Sequence, residues 1–175
     1  MKKLYCFSRQ EFNDFCNDWT SENYPEHSAF ISICNTQGGS DFMFVDEIEH
    51  HFKTETENII NLDFDDITEP KSYYNGKTDI GITEEDALRL AKFIENNINN
   101  DIYVHCEAGL SRSQGVVRYI LDVYGEENFE TRRCNPCRTP NLFVTAMLKR
   151  NKRQEDQRIL RYCLQRKRPE KRKDN

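Results

Sequence analysis

The chain has no apolar run long enough to span a bilayer, so no membrane segment is expected. The "LYCF" after its first lysines is far too short for the apolar region of an export signal. These two absences predict a soluble, cytoplasmic protein without a membrane partner. No internal repeat is visible, and no low-complexity tract apart from a basic tail, so nothing points to a repeat array. An even set of cysteines is missing too: the seven lie at 6, 16, 34, 106, 134, 137 and 163. Without an export signal, reduced thiols are the expectation and a disulfide framework is not. Each cysteine has to be judged by its own surroundings.

What is present is one domain's worth of chain, 175 residues, long enough to bury a real core. The apolar share of 37% against 31% charged residues describes a globular but polar protein. The net charge of −5 conceals an asymmetry. Residues 149–175 hold twelve Lys/Arg against four Asp/Glu, a local +8, which leaves −13 on the first 148 residues. An acidic body with a basic tail follows, and the chain divides into a domain over 1–150 and a basic helix or tail over 151–175.

"KLYCFS" reads as a first strand, and Ser8 with Glu11 forms a capping box that opens a helix through Trp19. "SAFISIC" (28–34), "ENIINLDF" (57–64) and "DIYVH" (101–105) read as strands, and "FMFV" (42–45) as a further short extended piece. Thr83 and Asp86 form a second cap. Ala87, Leu90, Ala91, Ile94 and Ile98 then recur with helical spacing. Residues 116–124 predict a buried helix stopped by Gly125. Thr139-Pro140 predicts the N-cap and first turn of another, "NLFVTAMLKR". Strands alternating with helices predict an α/β domain: a central, mostly parallel twisted sheet of four to five strands flanked by helices. Ligands bind such sheets beyond the carboxyl ends of the strands, where residues 65–70 and 106–112 fall.

The most informative stretch is "DIYVHCEAGLSRSQG", residues 101–115. A strand, a short turn and a helix can aim backbone N–H groups into a concavity backed by the positive end of the helix, a site for a tetrahedral oxyanion. Gly109 permits the unusual backbone angles that such a cradle needs. Arg112 supplies two parallel N–H donors. The same positive field favours the thiolate of Cys106, which makes it an activated nucleophile.

"HCEAGLSRS" resembles the His-Cys-x5-Arg-Ser/Thr signature of the cysteine-dependent protein-tyrosine and dual-specificity phosphatases, and within them the compact branch with Ala-Gly inside the loop. The resemblance implies attack by Cys106 on phosphorus and a phosphocysteine intermediate that water hydrolyses. It implies that Arg112 and the amides of Glu107, Ala108, Gly109, Leu110, Ser111 and Arg112 hold the phosphoryl oxygens. Ser113 would hydrogen-bond the sulfur as it leaves, and His105 would support the loop without titrating in catalysis. Pro140-Asn141 is similar to a segment of bacterial and phage-like members, where it opens a helix near the catalytic loop, which implies a structural role for Asn141. Rhodanese-type sulfurtransferases share the cysteine cradle but commonly have one residue fewer before the arginine. A phospho-ligand binding module without turnover is the other alternative, although here no catalytic residue is lost.

The leaving oxygen needs a proton donor, which the family carries upstream after a strand. "NLDFDDITEP" offers Asp63, Asp65 and Asp66. Strand alternation puts Asp63 and Asp65 on one side, so Asp66 is the expected acid and Asp65 the alternative. "TEPKSYYNGKTDIG" reads as a loop, in which Tyr73 and Tyr74 could form an aromatic wall or simply pack. Loop residues 107–111 contain no lysine, unlike the phosphoinositide-specific relatives, and the −13 body repels polyanions such as RNA triphosphates. A phosphorylated protein or peptide is therefore the expected substrate, with phosphotyrosine favoured and phosphoserine or phosphothreonine next. No cofactor and no metal are expected. Cys134-x-x-Cys137 reads as two reduced loop thiols, since a zinc site would need two more ligands and His50-His51 is the only obvious supply. A nucleic-acid partner is not expected, though the basic tail leaves one open.

Overall fold

The computed structural model describes residues 1–36, 50–74, 77–134 and 139–166. The expected "FMFV" strand, Cys137 and the end of the basic tail lie outside these residues. Five strands form the central sheet: β1 (Lys2–Ser8), β2 (Ser28–Cys34), β3 (Ile59–Asp63), β6 (Asp101–Cys106) and β7 (Phe129–Arg132), in the order β3-β2-β6-β1-β7. Every pairing is parallel. The fold is therefore α/β with a parallel sheet, flanked by helices α1 (Arg9–Phe15), α2 (Glu84–Asn97), α3 (Arg112–Tyr124) and α4 (Leu142–Arg166).

All seven residues of β2 are buried, as a central strand covered on both faces requires. Side-chain alternation divides the core in two. Leu4, Cys6, Ile31, Ile33, Val104 and Cys106 meet α2, α3 and α4 on one face. Phe7, Phe30 and Tyr103 meet Phe12 of α1, Phe52 and Trp19 on the other. The amphipathic stripe read from α2 is its buried face: Ala87, Leu90, Ala91 and Ile94.

Helix boundaries differ from expectation for local reasons. The Ser8–Glu11 capping box is complete, but α1 stops at Phe15 rather than at Trp19. The chain turns back there, with the Trp19 amide on the Cys16 carbonyl, and the indole packs edge-on against Phe15 and Tyr103. Helix α3 begins at Arg112, a full turn before its apolar stretch, because Arg112, Ser113 and Gln114 are polar yet buried. Helix α4 is capped by Asn141, not Thr139: Asn141 Oδ1 accepts from the amides of Phe143 (3.0 Å) and Val144 (3.2 Å). It then runs unbroken through residue 150. Lys152 of α4 pairs with Glu95 (2.8 Å), and Lys92 with Glu155 (3.8 Å), so the start of the basic segment lies on the acidic flank of α2.

Three strands lie where the sequence pattern indicates none. The segment expected as a loop contains an antiparallel pair, β4 (Lys71–Tyr74) and β5 (Lys77–Ile80), whose signal is the Asn75-Gly76 between them in sequence. Edge strand β7 is four residues long, and only Phe129 of it is buried, which is too little apolar pattern to read. Among the described residues no helix is long and apolar enough to cross a membrane.

Candidate active site

Because the sheet is parallel, Ser8, Cys34, Asp63 and Cys106 all lie at its carboxyl end, and Cys106 is in register with Ser8 on the neighbouring strand. The turn from β6 into α3 rests against the end of β1. Gly109 has φ +64°, and a Cβ there would come within 2.5 Å of the Ser8 nitrogen and 2.6 Å of the Phe7 carbonyl. Both are backbone atoms that cannot yield, so this position needs glycine on two grounds. The turn is pinned at its start by Arg9, whose amide donates to the Glu107 carbonyl (3.1 Å) and whose guanidinium pairs with the Glu107 carboxylate (3.2 Å). Beneath the turn, Gln114 Nε2 donates to the Gly109 carbonyl (3.2 Å) and to Cys6 Sγ (3.0 Å). Gln114 carries no motif, and only its burial against the loop reveals the role.

Cys106 Sγ and Ser113 Oγ are 3.1 Å apart, both buried. Arg112, which precedes Ser113 in the chain, is 3% exposed. Its Nη1 donates to the carbonyls of Cys34 (3.2 Å) and Phe64, which tie it to the ends of β2 and β3. Its Nε is buried without a hydrogen-bond partner. A buried cationic donor left unpaired is costly, so this N–H suits an anion at the head of α3. The first turn of α3 carries no acidic residue to compete.

The acid cluster separates cleanly. Strand β3 ends at Asp63, so the alternation does not extend to Asp65 as expected: Asp63 is largely exposed and Asp65 is buried. The Asp65 carboxylate accepts from the amides of Thr36 (3.0 Å) and Ile80 (2.8 Å) and from the Thr36 hydroxyl. Its acceptor sites are taken up in holding the loop. Asp66 is exposed, and its Oδ1 accepts from Ser111 Oγ (2.8 Å) in the cradle turn and from Asn141 Nδ2 (2.8 Å). Of the three, Asp66 is the one that reaches the cradle. Tyr73 is 73% exposed and lies under the Lys71 ammonium; the side chain of Tyr74 lies outside the described residues.

His105 is buried with both ring nitrogens unpartnered, and its ring lies against Phe12. Burial, with the charges of His50 and Arg9, pushes its pKa down to about 3, so it is neutral at physiological pH. The Cys6 thiol is pushed far up by its hydrogen bond with Cys134 and by burial, so it stays protonated.

His50 and His51 are not zinc partners of Cys134. His51 faces the Trp19 carbonyl (3.3 Å), and His50 joins a chain with Ser32, Cys34 and Asp63 that sequence spacing did not suggest. Among the described residues, Cys34, His50 and Asp63 bring three potential metal-ligand atoms within 4.8 Å of one another. They are already hydrogen-bonded to each other. Burial works against charge on His50, but the hydrogen bonds and charges of Asp63 and Cys34 outweigh it and raise its pKa to about 9. The imidazolium then donates to Ser32 Oγ (2.6 Å) and Asp63 Oδ1 (3.0 Å).

A raised folded-state pKa contributes stability that is whole below about pH 6.5 and lost as pH climbs through about 9. Melting temperatures of wild type should therefore decline faster than those of Asp63→Asn between about pH 6 and pH 10, converging at the alkaline end. Parallel curves would remove His50–Asp63 as the source.

Compared with family models, curated proteins and solved structures, the chain matches none.

Proposed function

We propose that the chain is a cytoplasmic, metal-independent protein phosphatase of the cysteine-based type. It hydrolyses phosphate monoesters, phosphotyrosine foremost, through a phosphocysteine intermediate. The observation that carries this reading is the divided guanidinium of Arg112: Nη1 is committed to two strand-end carbonyls, and Nε is buried and unpaired on the residue that precedes Ser113, the partner of the Cys106 thiol. Such an arrangement suits a doubly charged tetrahedral anion lying directly over the sulfur.

The chemistry follows from the neighbours. Cys106 Sγ forms a bond to phosphorus as the phosphorus–ester oxygen bond breaks. Arg112 and the amides of residues 107–112 hold the three other oxygens, whose charge is spread in the transition state. Asp66, at the mouth, gives its proton to the departing oxygen. In the second step Asp66 takes a proton from water as that water attacks phosphorus, and the sulfur leaves as a thiolate. Ser113 Oγ, 3.1 Å away, stabilises that thiolate by donating to it. Glu107 is engaged with Arg9, so the absence of lysine in the turn bears more on substrate charge than the glutamate does.

The test is phosphate release from a phosphotyrosyl peptide and an aryl phosphate in the presence of a chelator, with thiosulfate as the sulfurtransferase control. Turnover of the esters and not of thiosulfate is expected. Asp66→Asn should lower kcat by about 10²–10⁴-fold where the leaving group needs a proton. Strict dependence on a divalent ion would overturn the reading.

A further inference from the structure

We infer that Asn141 is a positioning residue that selects which oxygen of Asp66 carries the transferable proton and couples that acid to the anion-binding turn. The inference rests on the phosphatase reading and extends it.

Asn141 is 4% exposed, at the junction of the acid loop, α3 and α4. Its Oδ1 caps α4 by accepting two amides, at 3.0 and 3.2 Å. This sets the orientation of the side-chain amide, because the oxygen must face the helix and the NH2 must face away. Nδ2 then donates to Asp66 Oδ1 (2.8 Å) and to the Ile67 carbonyl (3.1 Å). The Asn141 backbone amide donates to the Ser111 carbonyl (3.0 Å). Gly115 lets the two helices approach this closely, since a Cβ there would lie 2.6 Å from the Asn141 carbonyl oxygen. The residue has no freedom to rearrange.

Asp66 Oδ1 also accepts from Ser111 Oγ (2.8 Å). A serine hydroxyl can rotate to accept instead, but an amide NH2 can only donate. A proton on Oδ1 would face the Nδ2 hydrogen directly. The acid proton is therefore held on Oδ2, away from the α3–α4 junction and free for the ester oxygen. Asn141 thus ties proton placement to Ser111, which belongs to the turn that binds phosphate.

Asn141→Ser separates this role from helix capping, because serine is an equally good N-cap and lacks the NH2. The experiment measures kcat/KM of wild type, Asn141→Ser, Asp66→Asn and the double variant. The substrates are phenyl phosphate, whose leaving group needs a proton, and para-nitrophenyl phosphate, whose leaving group does not. Asn141→Ser should lose about 10–100-fold on phenyl phosphate, a part of what a general acid contributes, and much less on the nitro ester. In the Asp66→Asn background it should cause no further loss, the mark of a residue acting only through that acid. An equal loss on both esters, or a loss that adds fully to that of Asp66→Asn, overturns the inference and leaves the phosphatase reading standing. Failure of wild type to hydrolyse either ester overturns both.

Discussion

Cys106→Ser is expected to reduce phosphate-ester turnover by about 10⁴-fold or more, the scale seen when a covalent nucleophile is removed, while leaving substrate binding intact. The two effects separate because sulfur and cradle do different work. The anion is held by Arg112 and the turn, and these are fixed from elsewhere: by Gln114 on Gly109, Arg9 on Glu107, and the Cys34 and Phe64 carbonyls on Arg112. None of these bonds uses the Cys106 side chain, which meets Ser113. A serine oxygen is smaller than sulfur and fits the same buried place without displacing the turn. What it lacks is nucleophilicity: in neutral water a serine hydroxyl keeps its proton, and His105, neutral but with its ring against Phe12, is no positioned base for it. Initial rates with an aryl phosphate, together with calorimetric titration of a phosphotyrosyl peptide, check both halves. Undiminished turnover in the variant would end the assignment.

Some of this site is readable from the chain and some is not. Cys106, Gly109, Arg112 and Ser113 fall within eight residues of sequence, and a strand–turn–helix passage constrains them by local geometry alone. The parallel sheet is legible because β2 is apolar throughout and α2 has a clear helical stripe. Choosing Asp66 over Asp65 is harder. Both follow the same strand, and the distinction arises only when Ile80 and Thr36, far away in sequence, consume the acceptors of Asp65. The strand alternation stops at Asp63, so what brings Asp66 to the cradle is its bond to Ser111 and not its place in the strand pattern. Gln114 and the Cys34–His50–Asp63 chain are invisible for the same cause: their partners are brought together by strand pairing, with no fixed spacing to search for. The Asn141 cap was masked by the Thr139-Pro140 dipeptide, a stronger local signal for a helix start than the asparagine that follows it.

Arg112→Lys should lower kcat/KM by about 10³–10⁵-fold, the range for arginines that neutralise a phosphoryl transition state, although the charge is conserved. The reason is geometric. The guanidinium is a rigid plane, so anchoring Nη1 to the Cys34 and Phe64 carbonyls also aims the buried Nε. A lysine ammonium is a point with three donors on a flexible stem. If it satisfies the two strand-end carbonyls, it keeps at most one donor with no plane to direct it. If it turns to the anion, those carbonyls lose their partner, at a cost on the order of 1–3 kcal/mol for each buried polar group left unpaired. Arg112→Ala forces the second outcome and should therefore melt lower than the lysine variant. Added inorganic phosphate provides the independent readout, because a ligand that binds only the folded state raises its melting temperature. Wild type should gain stability with phosphate, and both variants should respond far less. A lysine variant that kept its activity within about tenfold, or a wild type indifferent to phosphate, would mean that the unpaired Nε is not where the anion is held.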